Sequence, residues 1–408
     1  MRQRPPNYAR SGASPLSGHT ILQVVPELDA GGAERTAIDI AAGLATVGAR
    51  ALVVSQGGRL VAELQAKGGI AVPLPVKTKN PLKMLMNIGR LVSVCREEGV
   101  SLIHARSRAP AWSAFAAARI LGLPFVTTYH GSYSGRSAPK VFYNSVMARG
   151  DVVIANSHYT AQLIQNAHHT DPQRMVVIHR GTDLQQFTPA AVAHERIDRL
   201  RRAWAVKPHQ RIILLAARLT RWKGQLVLIE AMKRLKDNGF DDVVVVLAGD
   251  PQGREAYVRE LDGLIARLGL QEQVLRVGHC SDMPAAFMAA SVVTVPSIEP
   301  EAFGRSAVEA QAMGTPVVVS ELGAVPETVL APPDVSPRQR SGWRVPPHDA
   351  EALSHALTEA LLLGASGRDA LAGRARRHVE HYFSLDRMVG DTLTVYAELL
   401  RRAGAQSS

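Results

Sequence analysis

The stretch "RIILLAARLTRWKGQLVLIEAMKRLKDNGFDDVVVVLAGD", residues 211–250, holds two apolar, β-branched runs separated by a helical pattern. Two short runs without polar alternation, joined by a helix-length segment, describe neighbouring parallel strands buried on both faces. The alternation continues downstream in "QVLRVGH", "VVTVPS", "PVVVS" and "GWRVP". It also runs upstream through "TILQVVPEL", "RALVVSQ", "IAVPLPV", "SLIHARS", "PFVTTYH", "DVVIANS" and "MVVIHRG". Helical stretches such as "AERTAIDIAAGLATVG" and the proline-started "PLKMLMNIGRLVSVCREEG" separate most of these runs. The chain is therefore expected to be α/β, built as two doubly wound, Rossmann-like domains.

A polar, helix-prone connection interrupts the alternation. It places a first domain at residues 20–190, a linker at 191–210 and a second domain at 211–384. The segment "FSLDRMVGDTLTVYAELLRR" then reads as a helix pair with an apolar stripe and no strand left to cover. Its residues 385–402 are expected to pack back on the first domain. Residues 1–19 carry three arginines among Pro, Ser and Gly without an apolar core, and read as a flexible basic tail rather than a signal peptide.

With 408 residues, 46% hydrophobic and 20% charged, the chain has room for two cores. Cys95 and Cys280, the two cysteines, fall in different expected domains, which leaves no disulfide framework or Cys-based metal site and points to a cytoplasmic setting. No run approaches the roughly 18 apolar residues of a spanning helix. The net charge of +11 is concentrated: from Lys77 to Gly150 the cations are Lys77, Lys79, Lys83, Arg90, Arg96, Arg106, Arg108, Arg119, Arg136, Lys140 and Arg149, against Glu97 and Glu98. Such a face either keeps the protein solvated or attracts a polyanion, and an anionic membrane or phosphorylated acceptor fits where no nucleic-acid motif is present.

Ligands of doubly wound sheets bind beyond the carboxyl ends of the strands, so the chemistry is sought there. In "ELDAGGAER", Gly31 and Gly32 precede a helix and are either a plain turn or a close backbone approach to an anion at the helix start. In "AARLTRWKGQ", Arg218 and Lys223 are either solvated loop cations or a diphosphate grip. In "EPEAFGRSAVEA", Gly304 opens a helix whose free N–H groups suit an anion or a sugar hydroxyl, with Glu301 at its mouth. Glu309 lies roughly 12 Å further along if the segment is helical. That separation suits two carboxylates on the hydroxyl-rich rings flanking a diphosphate, and equally an acid on the helix dipole and an acid on the surface. His130, in "TTYHGSY", is a strand-end histidine that either packs or meets a ligand.

"EAFGRSAVEAQAMGTPVVVS", "ARLTRWKGQ", "GGAER" and "HRGTDLQQF" together resemble the retaining family-4 glycosyltransferases of the GT-B fold, over residues 20 to 400. The resemblance implies two Rossmann-like domains facing across a cleft, an acceptor domain first and a nucleotide-sugar donor domain second. It implies that Glu309 holds the nucleotide ribose, that Glu301 lies near the transferred sugar, and that the Phe303–Gly304 backbone turn touches that sugar. Arg218 and Lys223 are implied to bind the donor diphosphate, Gly31 and Gly32 to close on it, and His130 to meet the sugar's outer hydroxyls. Glu301, His130, Arg218 and Lys223 are the implied catalytic set. Arg180 in "HRGTD" departs from the Asn common in relatives.

The implied activity is retaining hexosyl transfer from a UDP-, GDP- or ADP-sugar, without a metal or other cofactor. Overall the sequence resembles bacterial lipopolysaccharide-type enzymes. The expected partners are therefore the nucleotide sugar, an envelope glycan or glycolipid acceptor and, peripherally, the inner face of an anionic membrane. A nucleotide-sugar epimerase of the same fold, and a non-catalytic nucleotide-sugar or polyanion binder, are the competing readings.

Overall fold

The computed structural model describes residues 14–29, 31–131 and 137–407. The chain divides into two compact units, Met1–Gly181 with Leu385–Ser408, and Thr182–Ser384. In the first, strands β1 (Thr20–Val24), β2 (Arg50–Ser55), β3 (Ile70–Pro73), β4 (Val100–Ala105), β5 (Phe125–Tyr129), β6 (Val152–Ala155) and β7 (Met175–Val177) form one parallel sheet in the order β3-β2-β1-β4-β5-β6-β7. In the second, β8 (Arg211–Ala216), β9 (Val243–Ala248), β10 (Val274–Gly278), β11 (Val292–Val295), β12 (Val317–Ser320) and β13 (Trp343–Val345) form a parallel sheet in the order β10-β9-β8-β11-β12-β13.

Every residue of β1, β5, β6, β9, β11 and β12 is buried, because helices cover both faces of each sheet. Each unit accordingly has two apolar cores, one per sheet face. Both sheets reverse their winding once, between β1 and β4 and between β8 and β11. In each sheet, the loops leaving the two strands at the reversal open a crevice of the kind where doubly wound folds take their ligands.

Three details differ from the sequence reading. The first unit's leading segment ends at Gly181 rather than 190, and residues 191–210 are not a free linker but, with 182–190, part of the second unit: Phe187 joins its core, Ile197 and Leu200 of helix His194–Ala203 pack on that core beside Trp204 and Val206, and Arg196 holds Asp282 at 2.6 Å. The segment expected as a helix pair is one helix, Leu385–Ser407, set off from helix Ala365–Tyr382 by Phe383 and Ser384. It belongs to the first unit, where Met388, Leu393, Tyr396 and Leu399 join the core on one face of the sheet.

Residues 14–19 of the expected flexible tail pack on the first unit, with Leu16 buried in the same core and His19 Nδ1 within 3.1 Å of Ser101 Oγ. Residues 1–13, and Arg136 of the basic run, lie outside the described residues.

Candidate active site

In the second unit, the chain leaving β8 passes Arg218 and a short 3-10 turn, Arg221–Lys223, before helix Gln225–Asp237. The chain leaving β11 passes Pro296, Ser297 and Glu301 before helix Arg305–Ala312. The two loops are locked together: Ile298 N–H donates to Trp222 C=O at 2.8 Å, and a Cβ on Gly224, whose φ is +74°, would stand 1.8 Å from Pro296 C=O. Only glycine allows that approach, so Gly224 sets the spacing between the loops.

This packing brings Lys223 and Glu301 together. The Lys223 ammonium donates to Glu301 Oε1 at 2.7 Å, with the two side chains 15% and 10% exposed, and Ser297 Oγ donates to the same oxygen. The ammonium also sits 4.2 Å from the centre of the Trp222 ring. Glu301 is fixed through its main chain as well, by a parallel bridge to Gly323 and a 2.8 Å hydrogen bond from Ala324 N–H. Lys223, Ser297, Glu301, Gly304 and Ser306 line one small concavity together with Thr294, whose buried hydroxyl has no hydrogen-bond partner among the described residues.

Gly304, at φ +83°, caps the Arg305–Ala312 helix without a side-chain acceptor, leaving first-turn N–H groups for a ligand. Phe303 contributes no side chain there: its ring is buried edge-on against Phe383 at 5.6 Å, so only its backbone remains for contact. Glu309 lies on the second turn, 14% exposed, with Arg305 Nε 3.6 Å away. Burial pushes its carboxyl up to about 7, against the opposing pull of Arg305. Arg218 differs from Lys223: its side chain is exposed and joins no ion pair among the described residues. Its main chain is held by Gln225, whose Nε2 donates to Arg218 C=O at 3.0 Å and whose Oε1 accepts from Tyr257 at 2.9 Å.

In the first unit, Gly31 and Gly32 begin helix Gly32–Thr46, again without a side-chain cap. The Glu34 carboxylate folds back over Gly31, and an Arg180 Nη1 lies 2.5 Å from where a Cβ on Gly32 would stand. The departure from Asn at position 180 thus places a guanidinium at the paired glycines, and its Nη2 donates to His130 C=O at 3.1 Å. Both His130 ring nitrogens are buried with no partner among the described residues. Burial first, then the charges of Arg180 and Arg106, hold the ring neutral, well below the usual histidine range.

Sequence reading missed Ser297, Gln225 and the group beneath His130. Arg106, 2% exposed, donates from Nε to Gln23 Oε1 at 2.7 Å, and its Nη2 has no partner among the described residues. His104 bridges Tyr396 Oη at 2.5 Å and Thr128 Oγ1 at 2.7 Å. A cation directly following the apolar run "SLIHA" is the signal that marks Arg106.

Residues 30–186 match the family model described as Glycosyltransferase Family 4, and residues 196–378 the one described as Glycosyl transferases group 1. A crystal structure of a glycosyltransferase from Rickettsia africae superposes with a TM-score of 0.85 at 34% identity, covering 94% of this chain and 98% of that one. Anabaena HepE in complex with UDP and glucose gives 0.78 at 25% identity, over 92% of this chain and 99% of that one. A D-inositol 3-phosphate glycosyltransferase of Salinispora arenicola is 34% identical over 309 residues, 70% of this chain. The match spans 66% of that relative's length, and 59% of its Salinispora tropica counterpart's.

Proposed function

The chain belongs to glycosyltransferase family 4, with the GT-B fold, and we propose that it moves a hexosyl-type sugar, with retention of anomeric configuration, from a nucleotide-diphosphate sugar to an envelope glycan or glycolipid. The observation that carries this reading is the pairing of Lys223, on the loop that also carries Arg218, with Glu301 at the winding reversal of the second sheet. An anion entering there meets one exposed guanidinium, one ammonium already oriented by a carboxylate, and the uncapped start of the Arg305–Ala312 helix.

These donors suit a departing diphosphate, and stabilising that charge is the principal contribution to rate. Glu301, anchored at its main chain and by Ser297, orients Lys223 and offers its second oxygen to a sugar hydroxyl. Glu309 takes the ribose hydroxyls. The leaving phosphate accepts the acceptor's proton on the face it departs from, which gives retention. Arg218 and Lys223 supply the positive charge, so no resident metal or other cofactor is required. UDP in the Anabaena HepE structure makes UDP-sugars the first donors to try. The basic run between Lys77 and Gly150 supports the acceptor class and a membrane-peripheral setting, and the two unbridged cysteines support a cytoplasmic one.

The test is thermal unfolding with UDP, GDP and ADP, each with EDTA, followed by proton NMR of the product's anomeric centre. One nucleotide at 100 times its dissociation constant adds about 2.7 kcal/mol of stability. No shift with any nucleotide overturns the donor, a shift that EDTA abolishes overturns the metal-free grip, and an inverted product overturns the mechanism.

A further inference from the structure

Helix Pro81–Glu97 of the first unit buries Asn87, Leu91 and Cys95 and turns the opposite way with Leu82, Leu85 and Met86. Those three are 72, 65 and 53% exposed. Their i, i+3, i+4 spacing puts them on one face of the first two turns, whereas Ile70, Ile120 and Leu362 are exposed apolar residues standing singly.

A fourth apolar group stands nearby. Phe142, 60% exposed, stacks on Trp112 at 5.2 Å. Trp112 Nε1 donates to Tyr143 C=O, while its neighbour Ser113 donates to Met84 C=O at 2.8 Å. One turn of helix Arg108–Leu121 therefore touches both the Pro81–Glu97 helix, at Met84, and the segment of Phe142.

Cations stand within three residues of them in the chain. Lys79, Lys83 and Lys140 are exposed, and none is in an ion pair among the described residues. Arg149 lies over the Trp112 and Phe142 rings at 5.2 and 5.6 Å. The only acids between Lys77 and Gly150, Glu97 and Glu98, sit at the far end of the Pro81–Glu97 helix, and Glu98 is taken by Arg50 at 2.6 Å.

We propose that this face docks on an anionic lipid bilayer, with Leu82, Leu85, Met86 and Phe142 entering the headgroup boundary and Lys79, Lys83 and Lys140 meeting lipid phosphates. Exposed apolar side chains flanked in sequence by exposed lysines match the two attractions of such a surface, burial in the acyl boundary and negative surface potential. A second copy of the chain fits poorly, because a two-fold contact would set these lysines against one another. The inference deepens the envelope-acceptor reading and rests on it for the membrane partner, and its test uses neither donor nor acceptor.

The full chain is floated with phosphatidylcholine vesicles, with and without phosphatidylglycerol, at low and high salt. The wild type floats with the anionic vesicles, less so as salt screens the lysines. L82S/L85S/M86S lowers the partition on the order of a hundredfold by removing the buried apolar area. K79E/K83E/K140E lowers it by about fivefold or more per lysine, on anionic vesicles only. Urea midpoints of both variants match the wild type, because every changed side chain is exposed.

Wild type that stays at the bottom of the low-salt gradient overturns the proposal, as does equal flotation of either variant. A dimer seen by light scattering and abolished by the serine variant overturns it in favour of a second copy. Absent flotation with sugar transfer to a soluble acceptor intact removes the docking alone, and flotation without any nucleotide binding or transfer removes the transferase reading alone.

Discussion

Lys223 and Glu301, 78 residues apart in sequence, form a 2.7 Å ion pair with the two side chains only 15% and 10% exposed. A largely buried pair costs desolvation on both sides, and removing one partner strands the other charge. Glu301→Ala and Lys223→Ala are each expected to destabilise the protein by about 3 kcal/mol, and the double variant by clearly less than their sum. A urea double-mutant cycle measures the coupling, and strict additivity removes the pair as a stabilising unit.

Arg218 separates binding from folding. Because its side chain is exposed and joins no ion pair among the described residues, Arg218→Ala should leave the urea midpoint within about 0.5 kcal/mol of wild type. Loss of a charge-assisted bond to the diphosphate should weaken nucleotide binding by roughly tenfold to a hundredfold. Calorimetric titration with the nucleotide checks the second half, and unchanged affinity excludes Arg218 from the grip.

Glu309 sets a pH dependence of known sign. Its ordinary value is 4.5 and burial raises it to about 7 in the folded protein. Between those values the unfolded chain has lost a proton that the folded one keeps, so stability falls as pH rises, by about 1.4 kcal/mol per unit and at most about 3 kcal/mol in all. Glu309→Gln should lack that slope. Its nucleotide affinity should also stay flat through neutral pH, where the wild type gains affinity as the carboxylate ionises. Chemical unfolding and titration from pH 4.5 to 8 give both readings.

His130 runs the other way. Its ring is held neutral well below 6.5 by burial and by Arg180 and Arg106. Below 6.5 the unfolded chain takes a proton that the folded one refuses, so this group's stability contribution is present above 6.5 and declines with falling pH by about 1.4 kcal/mol per unit. His130→Asn should flatten the acid limb of the stability profile by that slope. An unchanged limb leaves His104, lowered by the same burial, as its source.

Each part of the site was legible to a different degree. Gly31, Gly32, Arg218 and Gly304 lie on the loops that follow strands or at the helix starts those loops lead to, so strand periodicity and loop chemistry locate them in one dimension. The Phe303 ring could not be placed that way, because whether it faces a ligand or Phe383 depends on a helix-to-helix junction about 80 residues later. Arg106 was likewise hidden, since its partners Gln23 and Tyr396 come from opposite ends of the chain. The region 191–210 was misread as a linker because its polarity is that of a surface helix, whose few apolar positions, Ile197, Leu200 and Trp204, only declare themselves against a core.

By itself the sequence determined the α/β class, the two sheets and the strand ends at which polar residues gather, because burial on both faces of a parallel strand requires continuous apolar runs that composition alone displays. Only tertiary structure decided that Lys223 is oriented by Glu301 and Ser297, that Glu309 titrates near neutrality and that His130 is neutral between two arginines. Those properties arise from desolvation and from charges a few ångströms apart in space, and no local pattern of residues records either.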